Sequence, residues 1–395
     1  MNPTSARTRR RLKIAVLIRH FDPAGGGAER YAIALVQQLA SRHEIHVFAQ
    51  HFRSEIPGVI QHRVPQLLTR PRWLNLWWFA AWTARQTRHG FDIVHSHEAV
   101  WHGNVHTMHV RPIRATRFLC VGRFKRLLRQ AEILFSPRLM YYFGVERARL
   151  RASPRRAIIA VSNALRDELE TVYPHLHGKI DIIPPGVNPA IAQDDRAQTR
   201  QRYGIPPEAP LLLFIAGDYD KKGLPALMTA LAKQPDAHLL VVGNENYIPA
   251  ARQRAEALGI TARVHFASVL TDPTPAYRAA DLLVHPTLED TFGMVVAEAM
   301  AYGLPVIVSG PHWCGIAAHL HDGDEALLLT DPRDSAEIAA AISRILSDPV
   351  LRTRLSAAGQ RFATQYDWPA LANRQETLYE RILGTSQPEQ GHEKT

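Results

Sequence analysis

The sequence predicts an α/β protein of two doubly wound, Rossmann-like domains facing a cleft. Three observations predict it. Short apolar runs (Leu12 to Ile18, Ala157 to Val161, Leu211 to Ala216, Asp281 to Val284) recur with helical stretches between them, the rhythm of parallel sheets covered by helices. The cluster Pro184-Pro185-Gly186-Val187-Asn188-Pro189 interrupts that rhythm and reads as a domain boundary. At 395 residues, 46% hydrophobic and 21% charged, the chain is long enough for two cores of ordinary size.

The elements follow in order. Residues 1–11 read as a basic, flexible lead. Arg9-Arg10-Arg11 before Leu12 imitates a signal peptide, but Lys13 interrupts the apolar run and Arg19 closes it, so the run reads as a first strand. Gly25-Gly26-Gly27 then leads into a helix over Tyr31 to Ala40. These glycines permit close backbone approach to a ligand. They do not spell G-x-G-x-x-G, because Arg30 takes the last glycine's place, which leaves a nicotinamide enzyme as a weak alternative. Glu44 to Ala49 alternates as a strand. Trp73 to Trp82 carries four of the seven tryptophans in a helix whose aromatic stripe reads as core.

Phe91 to His97 and Asn104 to Val110 read as strands ending in histidines, and ligands of open α/β sheets lie beyond such ends. Period-two alternation puts Val105, Thr107 and His109 on one face, His106 and Met108 on the other. His97 and His106 read as hydrogen-bonded structural histidines. Arg111 to Gln130 holds seven Lys/Arg and no acid among apolar residues at near-helical spacing. That pattern suits either an ordinary basic surface helix or one lying on an anionic membrane surface.

Charge segregates along the chain. Residues 1–185 hold 29 Lys+Arg against 12 Asp+Glu, within a net charge of +10 for the whole. One half therefore faces an anionic partner. Cys120 and Cys314 offer neither a disulfide framework nor metal-ligand spacing, and no stretch approaches the ~20 apolar residues of a membrane span. The expected location is the cytoplasm, peripheral at the inner face of the membrane.

After the boundary, Leu211 to Ala216 is a strand and Gly217-Asp218-Tyr219-Asp220-Lys221-Lys222-Gly223 opens a helix. Two lysines at a helix start oppose the macrodipole unless an anion sits there, so Lys221 and Lys222 are candidate diphosphate ligands. Asp218-Tyr219-Asp220 also spells a D-x-D metal pattern, discounted here beside two lysines. The stretch His285 to Pro305 reads as loop and helix between two strands, with Thr291 capping a helix over Phe292 to Tyr302 and Gly303 ending it. The first amides of that helix, with Gly293 admitting close approach, make an anion site. Asp290 and Glu298 bracket it and can accept hydrogen bonds from sugar hydroxyls. Residues 366–384 form a last helix, and 385–395 have a disordered composition.

An acid, seven residues and Glu around F-G-x-x-x-x-E-A-M-A-x-G-x-P-V resembles the signature of retaining family-four glycosyltransferases of the GT-B fold. The Gly-Gly-Ala-Glu-Arg loop, I-P-P-G-V-N hinge and C-G-I-A segment resemble the same family, and D-Y-D-K-K-G is similar to bacterial lipopolysaccharide-core glucosyltransferases. The pattern departs at Asp290, where the family has Glu, and in lacking an Arg near Asp218, whose work Lys221 would do.

The resemblance implies an acceptor-side domain over 1–185, a nucleotide-sugar domain over 186–365, and a helix over 366–384 returning to the first. It implies a UDP-hexose donor held by Gly26, Gly27, Lys221, Lys222, Gly293, Met294, Val295 and Glu298. His109, Asp290 and Lys222 would be catalytic, with neither metal nor cofactor. The acceptor would be a glycan or lipid-linked, lipopolysaccharide-type molecule and not nucleic acid, with Arg111 to Gln130 offering the membrane contact. A sugar-nucleotide epimerase of the same fold, or a non-catalytic anionic-ligand or nucleic-acid-binding protein, are the alternatives.

Overall fold

A computed structural model describes residues 10–119, 121–188 and 195–384. Most of the expected lead, Cys120 and the expected tail at 385–395 lie outside the described residues. The chain divides into two compact units. Residues up to Ala160, Glu168–Ile183 and those from Ala372 on form the first; Val161–Asp167 and Pro184–Leu371 form the second. The division thus falls two residues before the expected 185/186, and a short segment after the strand Ala157–Ala160 groups with the second unit.

The first unit is built on a seven-stranded parallel sheet: β1 (Lys13–Leu17), β2 (Glu44–Ala49), β3 (Val59–Arg63), β4 (Ile93–Ser96), β5 (Val105–Met108), β6 (Ala157–Ala160) and β7 (Ile180–Ile182), in the order β3-β2-β1-β4-β5-β6-β7. The second holds β8 (Leu211–Ala216), β9 (His238–Gly243), β10 (Val264–Ala267), β11 (Leu282–His285), β12 (Val306–Ser309) and β13 (Leu327–Leu329), in the order β10-β9-β8-β11-β12-β13. Both orders reverse direction beside their first strand, which opens a crevice at the carboxyl ends of β1 and β4 in one sheet and of β8 and β11 in the other. Central strands such as Leu-Leu-Leu-Phe-Ile-Ala are nearly all apolar because helices cover both faces. Leu212, Phe214, Leu239, Val241 and Val284 pack there against Leu227 and Met228 of the helix Leu224–Leu231 and Ile338 and Ile342 of Ser335–Ser347.

Three expectations need correction. Arg111 to Gln130 is not one helix: Ile113–Phe118 and Arg123–Phe135 are separate, the second beginning after Gly122. The tryptophan stripe is core only in part: Trp82, partly buried, packs against the cluster that holds Phe48 and Phe79. In the helix Arg72–Gln86 the buried face is Asn75, Leu76, Phe79, Ala80 and Thr83, while Trp77 is exposed and Trp78 Nε1 donates to Pro65 O. The helix expected over Phe292 to Tyr302 begins later, as Met294–Ala301, because Gly293 adopts a left-handed conformation (φ 101°) as its N-cap. Gly303 follows the helix at φ 75°, as a C-terminal glycine should.

Candidate active site

In the second unit the loops leaving β8 and β11, adjacent strands, meet. Lys222 Nζ donates to Asp290 Oδ2 at 2.8 Å and to Glu289 O at 2.6 Å. Leu288 N donates to Lys221 O at 2.8 Å, stitching the loops along their backbones. Gly223 makes this approach possible: its φ is 80°, and a Cβ there would sit 1.9 Å from Pro286 O. Any side chain at 223 would push Lys222 away from Asp290.

Asp290 is the hub. Its Oδ2 also meets His285 Nε2 at 3.1 Å, and its Oδ1 accepts from Phe292 N at 3.2 Å. Burial alone would raise the Asp290 pKa, but the Lys222 charge and the His285 hydrogen bond outweigh it and hold the carboxyl well below the usual carboxylate range. His285, buried at the end of β11, is pushed down by burial despite Asp290, so it serves as a neutral donor. Asp290 is fixed from a second side as well. Its N–H donates to Trp313 O at 2.8 Å, and its C=O accepts from Gly315 N at 3.0 Å.

Among the described residues one trio of ligand-type side chains, His285, Asp290 and Cys314, brings its atoms within 4.8 Å of one another. Lys222 already supplies the cation at Asp290, and burial pushes the Cys314 thiol far up, which keeps it protonated. In this arrangement the trio is an ion-paired acid beside a buried thiol. In the D-x-D segment Asp218 Oδ1 accepts from Lys221 N at 3.0 Å, Tyr219 is buried and Asp220 is exposed.

Gly293 lies beneath Asp290, where a Cβ would come 2.8 Å from Cys314 Sγ. It presents the first amides of Met294–Ala301, including Met294 and Val295, at a helix end with no intrahelical acceptors before it. Glu298, on the same helix, is only 8% exposed, and its Oε2 accepts from the Tyr277 hydroxyl at 2.6 Å. Tyr277 in turn stacks on Tyr302 at 5.3 Å, which fixes the carboxylate. The Lys221 side chain is exposed.

The remaining expected site residues sit in the first unit. Gly26 is the N-cap of the helix Gly27–Leu39, and Glu29 stands in its first turn with its pKa raised by burial. The half-buried His109 follows β5, its Nε2 2.9 Å from His97 Nδ1, with the two rings stacked at 5.2 Å and Tyr31 edge-on to His109 at 5.1 Å. Burial, then the Arg149 charge, pushes His109 down to about 3, so the ring is neutral at neutral pH. Thr107 bonds His95 on the same face, as alternation requires, while His106 turns away to Arg156 at 2.9 Å. His97 is therefore tied to His109 and His106 is not.

The structure thus joins Lys222 to Asp290 beside Gly293, Met294 and Val295, sets Glu298 further along the helix, and puts Gly26, Gly27 and His109 in the other unit. Sequence reasoning missed His285, Tyr277 and Cys314 as supports. Only His285 left a signal, as the last residue of a strand that must end at a ligand crevice.

Two family models match: "Glycosyltransferase Family 4" over residues 25–191 and "Glycosyl transferases group 1" over 195–362. The lipopolysaccharide glucosyltransferase WaaG of Escherichia coli (strain K12) is 26% identical over 239 residues, 58% of this chain and 63% of that one. A D-inositol 3-phosphate glycosyltransferase of Thermomonospora curvata is 31% identical over 223 residues, 51% of each chain. The chain thus spans between about half and two-thirds of these relatives. The crystal structure of WaaG has a similar fold, with a TM-score of 0.80 over 94% of this chain and 100% of that one at 23% identity. Anabaena HepE in complex with UDP-glucose has a TM-score of 0.70 over 93% and 99% at 19% identity.

Proposed function

The chain belongs to the family-four glycosyltransferases of the GT-B fold, and we propose that it moves a hexose from a UDP-linked donor to an anionic, lipid-linked or lipopolysaccharide-type acceptor with retention at the anomeric carbon. The observation that carries this reading is the Lys222–Asp290–His285 assembly over the start of a glycine-led helix. The Lys222 ammonium has three donors and uses two, leaving one for a diphosphate oxygen without breaking its bond to Asp290. The Asp290 carboxylate has about four acceptor positions. Lys222, His285 and Phe292 N take three, and the last is free for a hydroxyl of the transferred sugar.

As the glycosidic bond breaks, negative charge grows on the leaving diphosphate. Lys222, Lys221 and the amides near Gly293 to Val295 offset it from fixed positions, the condition under which such groups lower a barrier. Glu298 accepts from the ribose hydroxyls, with Tyr277 holding its other side. Gly26 and Gly27 bring backbone to the phosphates, and His109, neutral and braced by His97, lines the reaction centre. No metal takes part. The printed names of WaaG, a glucosyltransferase, and of HepE, bound to UDP-glucose, support a UDP-hexose donor.

An anionic membrane surface is the partner we assign to the helix Arg123–Phe135, which has no buried residue. Phe124, Leu127, Leu128, Leu134 and Phe135 recur at helical spacing on one face and are all exposed, Phe135 at 86%. Arg123, Lys125, Arg126 and Arg129 flank them, the pattern of an interfacial helix. No helix among the described residues is long and apolar enough to cross a membrane, so the contact would be peripheral, from the cytoplasmic side.

A panel of nucleotide sugars, each followed for slow hydrolysis without acceptor, tests the reading. Hydrolysis of a UDP-hexose to UDP and free hexose with retained configuration is expected. Interconversion of the donor sugar instead would make the chain an epimerase, and no turnover of any nucleotide sugar would remove the enzymatic reading.

A further inference from the structure

We propose that a cavity in the first unit, at the carboxyl end of β1, is a subsite for a phosphoryl group carried by the acceptor sugar. The proposal rests on the glycosyltransferase reading above and names a chemical class for its acceptor. The cavity has a volume of about 460 Å³, enough for one hexose phosphate and too small for an extended polymer. Arg19, Arg70, Arg72, His20 and Glu29 line it. Glu29 belongs to the helix that Gly26 and Gly27 open, so the cavity adjoins the glycine loop assigned to the donor phosphates.

Arg19 is the sharpest pointer. The residue is only 7% exposed, yet it uses just its backbone N–H and Nε, both toward Glu98 Oε1 at 3.3 and 3.2 Å. Its two terminal nitrogens have no acceptor among the described residues. Those donors open onto the cavity, and the planar fork that carries them matches two oxygens of one phosphate. Arg70 and Arg72 are exposed and make no ion pair among the described residues, so both can swing onto the same group.

The opposing charge is weak. Glu29 is the one carboxylate among the lining residues, and burial raises its pKa. Burial first, then Arg19, His51 and Arg72, lowers the His20 pKa, as a positive field would. His20 stacks on His51 at 5.0 Å and offers a neutral ring nitrogen. Asn75, by contrast, spends its amide on Gln50 at 2.8 and 3.0 Å and serves only as wall. Arg19 is answered by Glu98, so three guanidinium groups stand against two carboxylates, a net positive charge that suits a phosphomonoester.

Calorimetry on the full chain, without donor, tests this with three probes: glucose 6-phosphate, glucose and inorganic phosphate. Glucose 6-phosphate should bind more tightly than either of the others, and the double variant Arg70→Ala/Arg72→Ala should lose at least tenfold of that affinity while melting as the wild type does. Equal binding of glucose and glucose 6-phosphate, or an unchanged double variant, overturns the subsite. Inorganic phosphate binding as tightly as the sugar phosphate overturns the acceptor assignment in favour of a free anion. Arg19→Gln, which keeps a donor but removes the fork, should weaken the sugar phosphate too. UDP titrated into the same wild-type sample separates the two readings: its failure to bind defeats the glycosyltransferase proposal, whereas the cavity stands or falls on the sugar phosphate.

Discussion

A single ammonium holds the candidate site in register. Lys222 answers the Asp290 charge, spans two loops and keeps one donor spare. Lys222→Ala should lower turnover of the nucleotide sugar at least tenfold, about 1.4 kcal/mol of barrier, with the far-ultraviolet spectrum unchanged. Equal kinetics would remove it from the site. Lysines at a helix start announced the residue in the sequence, but its attachment to Asp290 could not be read there, because the two are separated by the helix and strands between β8 and β11. Buried histidines carry a second residue-level consequence. His95 bonds Tyr379 and Thr107, each at 2.7 Å, and burial, then His109, pushes it down to about 3. An unfolded histidine titrates near 6.5. Below that pH the unfolded chain takes up a proton that the folded chain refuses until about pH 3, so stability complete at neutral pH is lost as pH falls. Each such histidine costs about 1.4 kcal/mol per pH unit in that window. Urea denaturation of His95→Gln at pH 6 and pH 5 should therefore show a loss smaller than the wild type's by about that amount.

At the scale of elements, glycines and prolines were read correctly where they punctuate, and helix limits were misread where they do not. Gly303 closes its helix as expected, but Gly293 starts it two residues after the expected cap because a left-handed residue was needed to pass Cys314. The basic stretch was legible in composition alone. Its break before Arg123 follows from Gly122, and the exposure of its apolar face could be known only from the tertiary structure. Phe124→Ser with Phe135→Ser should reduce co-flotation with vesicles containing anionic lipid at least severalfold, and neutral vesicles should capture little of either protein. Undiminished flotation would leave the helix as ordinary surface. The tryptophan helix teaches the converse. An aromatic stripe marks an amphipathic face, yet Asn75, Leu76, Phe79 and Thr83 are what the helix buries fully, with Trp82 of the stripe packed on the core cluster.

For the whole molecule, the strand orders concentrate loops at the carboxyl ends of both sheets, and a donor should be felt there and not in the cores. Hydrogen exchange with and without UDP should show added protection at 217–223, 286–296 and 25–28. Central strands such as β8, buried at all but one residue, should change little. Protection spread evenly over both sheets would contradict the proposed donor site. By itself the sequence determined the α/β class, the break near Pro184, and the glycine loop, lysine pair and acid-led helix of the family, since periodicity, turn chemistry and helix-end charge are local properties. Only the tertiary structure decided which of those groups touch. The Lys222–Asp290–His285 assembly, the Tyr277 brace on Glu298 and the arginine-lined cavity all join residues distant in the chain. Such pairings depend on strand order and on the clearance a missing Cβ leaves at Gly223, and neither is written in any one stretch of sequence.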